Sequence, residues 1–376
     1  MNFDFAPEQR ELQQQLRRVL NETCTREVIR RTVDDHEPMA RDLWRQLGTL
    51  GYLGVAVPER YGGAGLGYLE LCLVAEEIGR SIAPLPMSSS IYQVAEVLLA
   101  AGSEVQKRAH LPGLAAGEVI GCAALQPGKG ARGRPEGALR FDGSTLNGCA
   151  RSVLDGAVAD IAVLAVADHD REGQHCLVLV DLRQPGIERT TVESIDLTRR
   201  RADIVFTNAR AEAISGVQTG ARIAQAAVDR ACVMLAFEQI GGAAQCLEMA
   251  RDYALERNAF GRPIGSYQAI KHKLVDVYAR NRLATAHAYF AAWALSTGSD
   301  QLQLSAGCAR VMAGEAFCFA AQENIQVHGG IGFTWEHDCH LFYRRARAMV
   351  LDHGSLHEWR ERIASALISQ SVTAEV

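Results

Sequence analysis

ARIAQAAVDRACVMLAFEQIGGAAQCLEMARDYALERNA, residues 221–259, holds no proline, and helical periodicity begins just before it, near Thr219. A continuous helix over this stretch is about 58 Å long at about 1.5 Å per residue. Ala231, Leu235, Glu238, Gly242 and Gln245 recur at helical spacing and share one largely apolar face. Two more long helices are predicted downstream, near 264–297 and 300–328. Residues 217–376 therefore read as a helical domain.

Upstream of that helix the texture changes. Val119–Leu125, Leu139–Asp142, Ile161–Val166, Cys176–Leu182 and Ile204–Phe206 are short apolar or alternating runs separated by Gly, Asp and Asn, which predicts a β domain over 119–216. Before it, residues 8–21, 39–51 and Tyr68–Ser81 place apolar side chains three and four apart, with a break at Gly62-Gly63-Ala64-Gly65. A further helix is predicted from Ile91 to Ala101, and Ser103 offers an N-cap for the next, so 1–118 reads as all-α. One β block between two helical blocks does not alternate βα units, which argues against a doubly wound sheet. The G-x-G-x-x-G at Gly128–Gly133 does not change this. Pro135 and Gly137 stand where a dinucleotide fold needs a helix N-terminus.

The 376 residues, 48% hydrophobic, are enough for a large core and two or three domains. There is no run of eighteen apolar residues and no signal-like N-terminus, so the expectation is a cytoplasmic protein without a membrane partner. A net charge of −5 argues against nucleic acid. Arg199-Arg200-Arg201 is read as a solvated turn between strands. None of the ten cysteines forms a C-x-x-C, so no metal site is expected and most are read as reduced core residues.

Three segments, in order, resemble the acyl-CoA dehydrogenase family across nearly the whole chain. They are Leu53-Gly54-Val55-Ala56-Val57-Pro58-Glu59 with Tyr61-Gly62-Gly63 and Glu76-Glu77-Ile78-Gly79-Arg80; Glu256-Arg257-Asn258-Ala259-Phe260-Gly261-Arg262-Pro263-Ile264-Gly265 with Gln268; and Gln326-Val327-His328-Gly329-Gly330-Ile331-Gly332-Phe333 with Arg344-Arg345 and Arg347. The resemblance implies a mostly α fold with a central β domain: an N-terminal helical domain, a middle β-barrel or sandwich and a C-terminal four-helix bundle. It also implies FAD, with Arg257, Phe260 and Gln268 on its pyrophosphate and adenine across a subunit boundary, and Gln326, Gly329 and Gly330 in the same set. A planar guanidinium suits pyrophosphate oxygens, and glycine lets backbone approach a ligand.

The sequence departs from the family pattern at two places. The flavin-lining threonines are replaced by leucines in Cys122-Ala123-Ala124-Leu125-Gln126-Pro127 and Ser152-Val153-Leu154, leaving backbone groups near Leu125 and Ser152 as the implied contacts. The position of the catalytic glutamate falls on His353, and its position in a minority of the family falls on Ala231. Three substitutes stand open: His353, whose imidazole accepts a proton near neutral pH; Asp352, one residue early; and Glu238, on the apolar face of the long helix.

The resemblance implies an enzyme that introduces a 2,3-double bond into an acyl-CoA and passes electrons to an electron-transfer flavoprotein, working as a homotetramer or heterotetramer. Two alternatives remain: a base-lacking partner subunit beside a related chain, and a flavin oxidase or monooxygenase on the same scaffold.

Overall fold

The computed structural model of the protein describes residues 5–126, 138–167 and 175–374; the Gly128–Gly133 motif and Pro127 lie outside them. The N-terminal helices are α1 (Pro7–Thr23), α2 (Arg26–Asp34), α3 (Arg41–Thr49), α4 (Tyr68–Arg80), α5 (Met87–Ser89), α6 (Glu96–Ala101) and α7 (Glu104–Ala115). Ser103 caps α7 as its sequence predicts. Its hydroxyl accepts from the Gln106 N–H at 3.2 Å, while Gln106 Oε1 accepts from the Ser103 N–H at 3.0 Å.

The helix expected from Ile91 to Ala101 is instead a π turn over Ser90–Ala95 leading into α6. The buried hydroxyls explain the widening. Ser90 Oγ accepts from the Gly121 N–H at 2.9 Å, and Ser89 Oγ donates to Asp155 at 2.5 Å, so the turn is opened to reach the β domain.

The β domain comprises β1 (Gly121–Ala124), β2 (Arg140–Phe141), β3 (Thr145–Leu154), β4 (Ile161–Ala167), β5 (His175–Asp181), β6 (Ile187–Val192), β7 (Arg201–Arg210) and β8 (Glu212–Ser215). They form two four-stranded sheets of order β1-β4-β5-β8 and β2-β3-β7-β6; among the described residues only β1 and β4 pair in parallel. Ala162, Leu164 and Val166 share a core with Leu146 and Phe206 of the second sheet. Ile161, Val163 and Ala165, on the opposite face of β4, share another with Ala224 and Val228. Burial on both faces is why this strand reads as an unbroken apolar run.

The proline-free stretch forms α8 (Val217–Glu256), which packs against α4, against α9 (Gln268–Thr297) and against α10 (Leu302–His328). Gly79 and Gly241 let α4 and α8 touch: a Cβ on Gly241 would sit 2.0 Å from the Glu76 carbonyl oxygen. The helix stops short of residue 259. Asn258–Ala259 (β9) turns back on Arg262–Pro263 (β10) through Phe260 and Gly261, both at positive φ, because Pro263 cannot donate in a helical ladder. Leu302–Phe333 is long and apolar enough to cross a membrane, but 67% of its most apolar window is packed inside the fold. The chain ends with α11 (Cys339–Met349) and α12 (Leu356–Ala374).

Candidate active site

A cleft of about 210 Å³ opens where β1 and the kink of β3 face the α11–α12 turn, and it gathers Leu125, Ser152, Asp352 and His353. Gln93 from the π turn, Arg151 and Arg201 also line it. The kink arises from a register shift between Ala150 and Val153 in the β3–β7 ladder, with Ser152 at φ 49°. Asp203 Oδ1 accepts from the Ser152 N–H at 2.7 Å, and Arg201 Nη1 donates to the Ser152 carbonyl at 2.9 Å. Ser152's backbone is therefore already engaged, which leaves its exposed hydroxyl as the group it can offer to a ligand.

The arginine run expected to be a solvated turn is instead tied into the fold, Arg199 buried and Arg200 and Arg201 half-buried. Arg199 is 6% exposed and ion-paired with Asp155, also donating to Ser88 Oγ at 2.9 Å. Arg200 donates to the Thr32 carbonyl at 2.5 Å, and Arg201 is ion-paired with Asp352. Each guanidinium finds a carboxylate or carbonyl on a neighbouring element, and these contacts offset the desolvation that would otherwise keep it in water.

A second arginine set holds the turn that carries the base candidates. Arg310 is fully buried in α10 and donates through Nη2 to the carbonyls of Met349 at 2.5 Å and Asp352 at 2.7 Å. Trp359 Nε1 donates to the His353 carbonyl at 3.0 Å. His353 sits at φ 60°, and its Nε2 is buried with no hydrogen-bond partner among the described residues. Burial pushes its pKa down to about 4, with Arg310 and Arg201 adding to the effect and Asp352 opposing it. The imidazole is therefore neutral at physiological pH. Glu238 is 1% exposed but does not line the cleft. Burial raises its pKa against the pull of Arg199 and Arg345, and the Tyr92 hydroxyl approaches it without completing a bond of normal geometry.

The other cofactor candidates lie at one end of the C-terminal bundle. Arg257 ends α8, Phe260 tips the β9–β10 hairpin and is 97% exposed, and Gln268 begins α9. Gln326 and Gly329 close α10, whose Val327 shares a small core with Ala254, Ile264 and Ile270 of the hairpin region. Arg257, Gln268, Gln326, Gly329 and Gly330 are all exposed. A Cβ at Gly329 or Gly330 would meet nothing within 4 Å. None of this set lines the cleft.

These features fit a flavin dinucleotide. The cleft is open beside strand backbone, and the Arg257 fork, the Phe260 ring and the bare glycine turn are exposed, with no side-chain hydrogen-bond partner among the described residues. Reading the sequence missed Arg201, Arg310 and Gln93. A lone arginine within the apolar run of α10 was the available signal for Arg310, since an unpaired charge is rarely buried.

Comparison with known proteins gives two family models. The acyl-CoA dehydrogenase N-terminal domain matches residues 6–118 and the C-terminal domain matches 218–368. Acyl-CoA dehydrogenase IpdE2 of Mycobacterium tuberculosis is 34% identical over 305 residues, which is 81% of this chain and 80% of that one. The glutaryl-coenzyme A dehydrogenase glutaryl-CoA complex superposes with a TM-score of 0.90 at 25% identity, covering 98% of this chain and 97% of that one. The ChsE4-ChsE5 complex of Mycobacterium tuberculosis gives 0.88 at 25% identity, covering 98% and 99%.

Proposed function

Because the chain belongs to the acyl-CoA dehydrogenase family, we propose that it is an FAD-dependent oxidoreductase that converts an acyl-CoA to its 2,3-enoyl form with His353 as the proton acceptor. The observation that carries this assignment is the convergence of Leu125, Ser152 and His353 on one cleft, with His353 Nε2 buried and without a hydrogen-bond partner among the described residues. FAD, when bound, would supply the acceptor for the β-hydrogen and its two electrons, and an electron-transfer flavoprotein would be the partner that reoxidises it.

The chain's own residues do the rest. His353, neutral and held by the Trp359 and Arg310 contacts to its turn, takes the α-proton on Nε2. Asp352, tied to Arg201, orients the kinked strand beside the ring rather than acting as base, because accepting a proton would cost it that ion pair. Arg257, Phe260 and Gln268, exposed and outside the cleft lining, would hold FAD bound mainly to a second copy of the chain or a related subunit. The unbridged cysteines support a reducing compartment, the cytoplasm.

A second reading makes the chain the base-lacking member of a hetero-oligomer. Its supports are the absence of a free carboxylate in the described cleft lining and the depressed basicity of His353. Purifying the chain alone and measuring flavin content and acyl-CoA turnover, beside His353→Glu, separates the two. Turnover by the chain alone, lost in His353→Gln, supports the first. A flavin-poor, inactive protein that gains activity only with a related subunit supports the second, and oxygen consumption without an added acceptor would instead favour an oxidase.

A further inference from the structure

Away from the cleft, His328 at the end of α10 and His337 and Cys339 at the start of α11 bring their ligand atoms within 4.8 Å of one another. Cys339 Sγ lies 3.0 Å from His337 Nδ1, and the two imidazole centroids are 4.4 Å apart. We propose that these three residues form a divalent-metal site of the zinc type, closed by a fourth ligand from the adjoining cavity. The site does not depend on the reading of the cleft, with which it shares no lining residue.

The donor set is that of a borderline ion. One thiolate with two imidazoles selects zinc and its late first-row neighbours over magnesium or calcium, which require oxygen ligands. Zinc–nitrogen and zinc–sulfur bonds of roughly 2.0–2.3 Å place tetrahedral ligand atoms roughly 3–4 Å apart, so closing the cluster needs about an ångström of side-chain movement. Orientation is already provided. His328 Nδ1 lies 2.8 Å from the Asn324 carbonyl oxygen, which fixes the proton there and leaves the Nε2 lone pair to a metal.

A cavity of about 380 Å³ borders the cluster, lined among others by His328, His337, Glu256, Glu336 and Asp338. It supplies a water or a carboxylate as fourth ligand. Metal there would tie the end of α10 to the start of α11 across Gly329 and Gly330, bracing the bare turn from behind. Three ligands spaced 328, 337 and 339 form no C-x-x-C, which is why cysteine spacing alone does not detect the site.

The test uses the full-length flavin-loaded protein, stripped with a chelator and titrated with zinc and, separately, cobalt. We expect about one zinc per chain by elemental analysis after dialysis, and cobalt absorption of tetrahedral intensity at wavelengths beyond the flavin bands. Cys339→Ala and His337→Ala should each weaken zinc binding by about a hundredfold and abolish the zinc-dependent rise in Tm. Should Cys339→Ala misfold, His337→Ala decides, because that ring is only half-buried. Failure of the folded protein to bind zinc at micromolar concentration, or equal zinc affinity in the His337 variant, overturns the proposal.

Discussion

Arg310, without exposed surface in α10, donates to the Asp352 carbonyl at 2.7 Å and so fixes the turn that presents His353 to the cleft. The same nitrogen serves Met349, and Nη1 lies 3.3 Å from Gln239 Oε1, so one buried side chain joins α8, α10 and the α11–α12 turn.

Replacing Arg310 by Leu should leave the Asp352 carbonyl without this donor and the Met349 carbonyl with only the Asp352 N–H at 3.2 Å, at a cost of about 1–3 kcal/mol. Denaturant unfolding should show the loss, and Arg310→Lys should recover only part of it, because an ammonium lacks the planar fork that bonds separated acceptors. An unchanged midpoint in Arg310→Leu would mean that water replaces the guanidinium.

Arg201→Ala should free the Asp352 carboxylate and the Ser152 carbonyl together. The expected cost is about 1–3 kcal/mol, between the values for exposed and fully buried pairs, since Arg201 and Asp352 side chains are 23% and 11% exposed. Flavin content should fall with it, because the kinked strand loses its tether. The measurements are Tm and the flavin-to-protein absorbance ratio.

The pH dependence of stability should carry a His353 component. Its pKa of about 4 in the folded chain lies below the value of about 6.5 in an unfolded one, so as pH falls the unfolded chain takes up this proton first. The contribution is complete above about pH 6.5 and is lost as pH falls towards 4, with a slope of at most about 1.4 kcal/mol per pH unit. Unfolding titrations between those limits should be shallower for His353→Gln; an identical slope would show that the ring titrates normally.

Arg257→Ala should leave the chain's fold intact, because the side chain is exposed, yet weaken FAD binding about tenfold to a hundredfold through loss of a charge-assisted contact. Circular dichroism and flavin fluorescence titration read the two effects separately. Arg257→Lys should recover little of the affinity.

Much of this was legible along the chain. The absence of proline and the helical apolar stripes give α8, α9 and α10 to within a few residues, and glycine and aspartate punctuation gives the core strands β4 and β5. Strands β3 and β6 escape because Thr, Arg, Glu and Ser interrupt their apolar positions, and the proline-free stretch carries α8 to residue 259, inside the hairpin, where the helix ends at Glu256. The motif residues at 257, 260, 268, 329 and 330 were identified by order and spacing, but the sequence does not tell which surface they share.

What the sequence determined by itself is local: periodicity sets helix or strand, and residue type sets which groups can bond phosphate or take a proton. Tertiary structure alone decided the fate of Arg199, Arg200 and Arg201, which one-dimensional charge marks as solvated and which packing ties to Asp155, the Thr32 carbonyl and Asp352, burying the first and half-burying the others. It likewise separated His353, brought into the cleft, from Glu238, sealed behind it. The reason is that a side chain's protonation and reach depend on desolvation and on partners far away in sequence, and only the folded chain sets either.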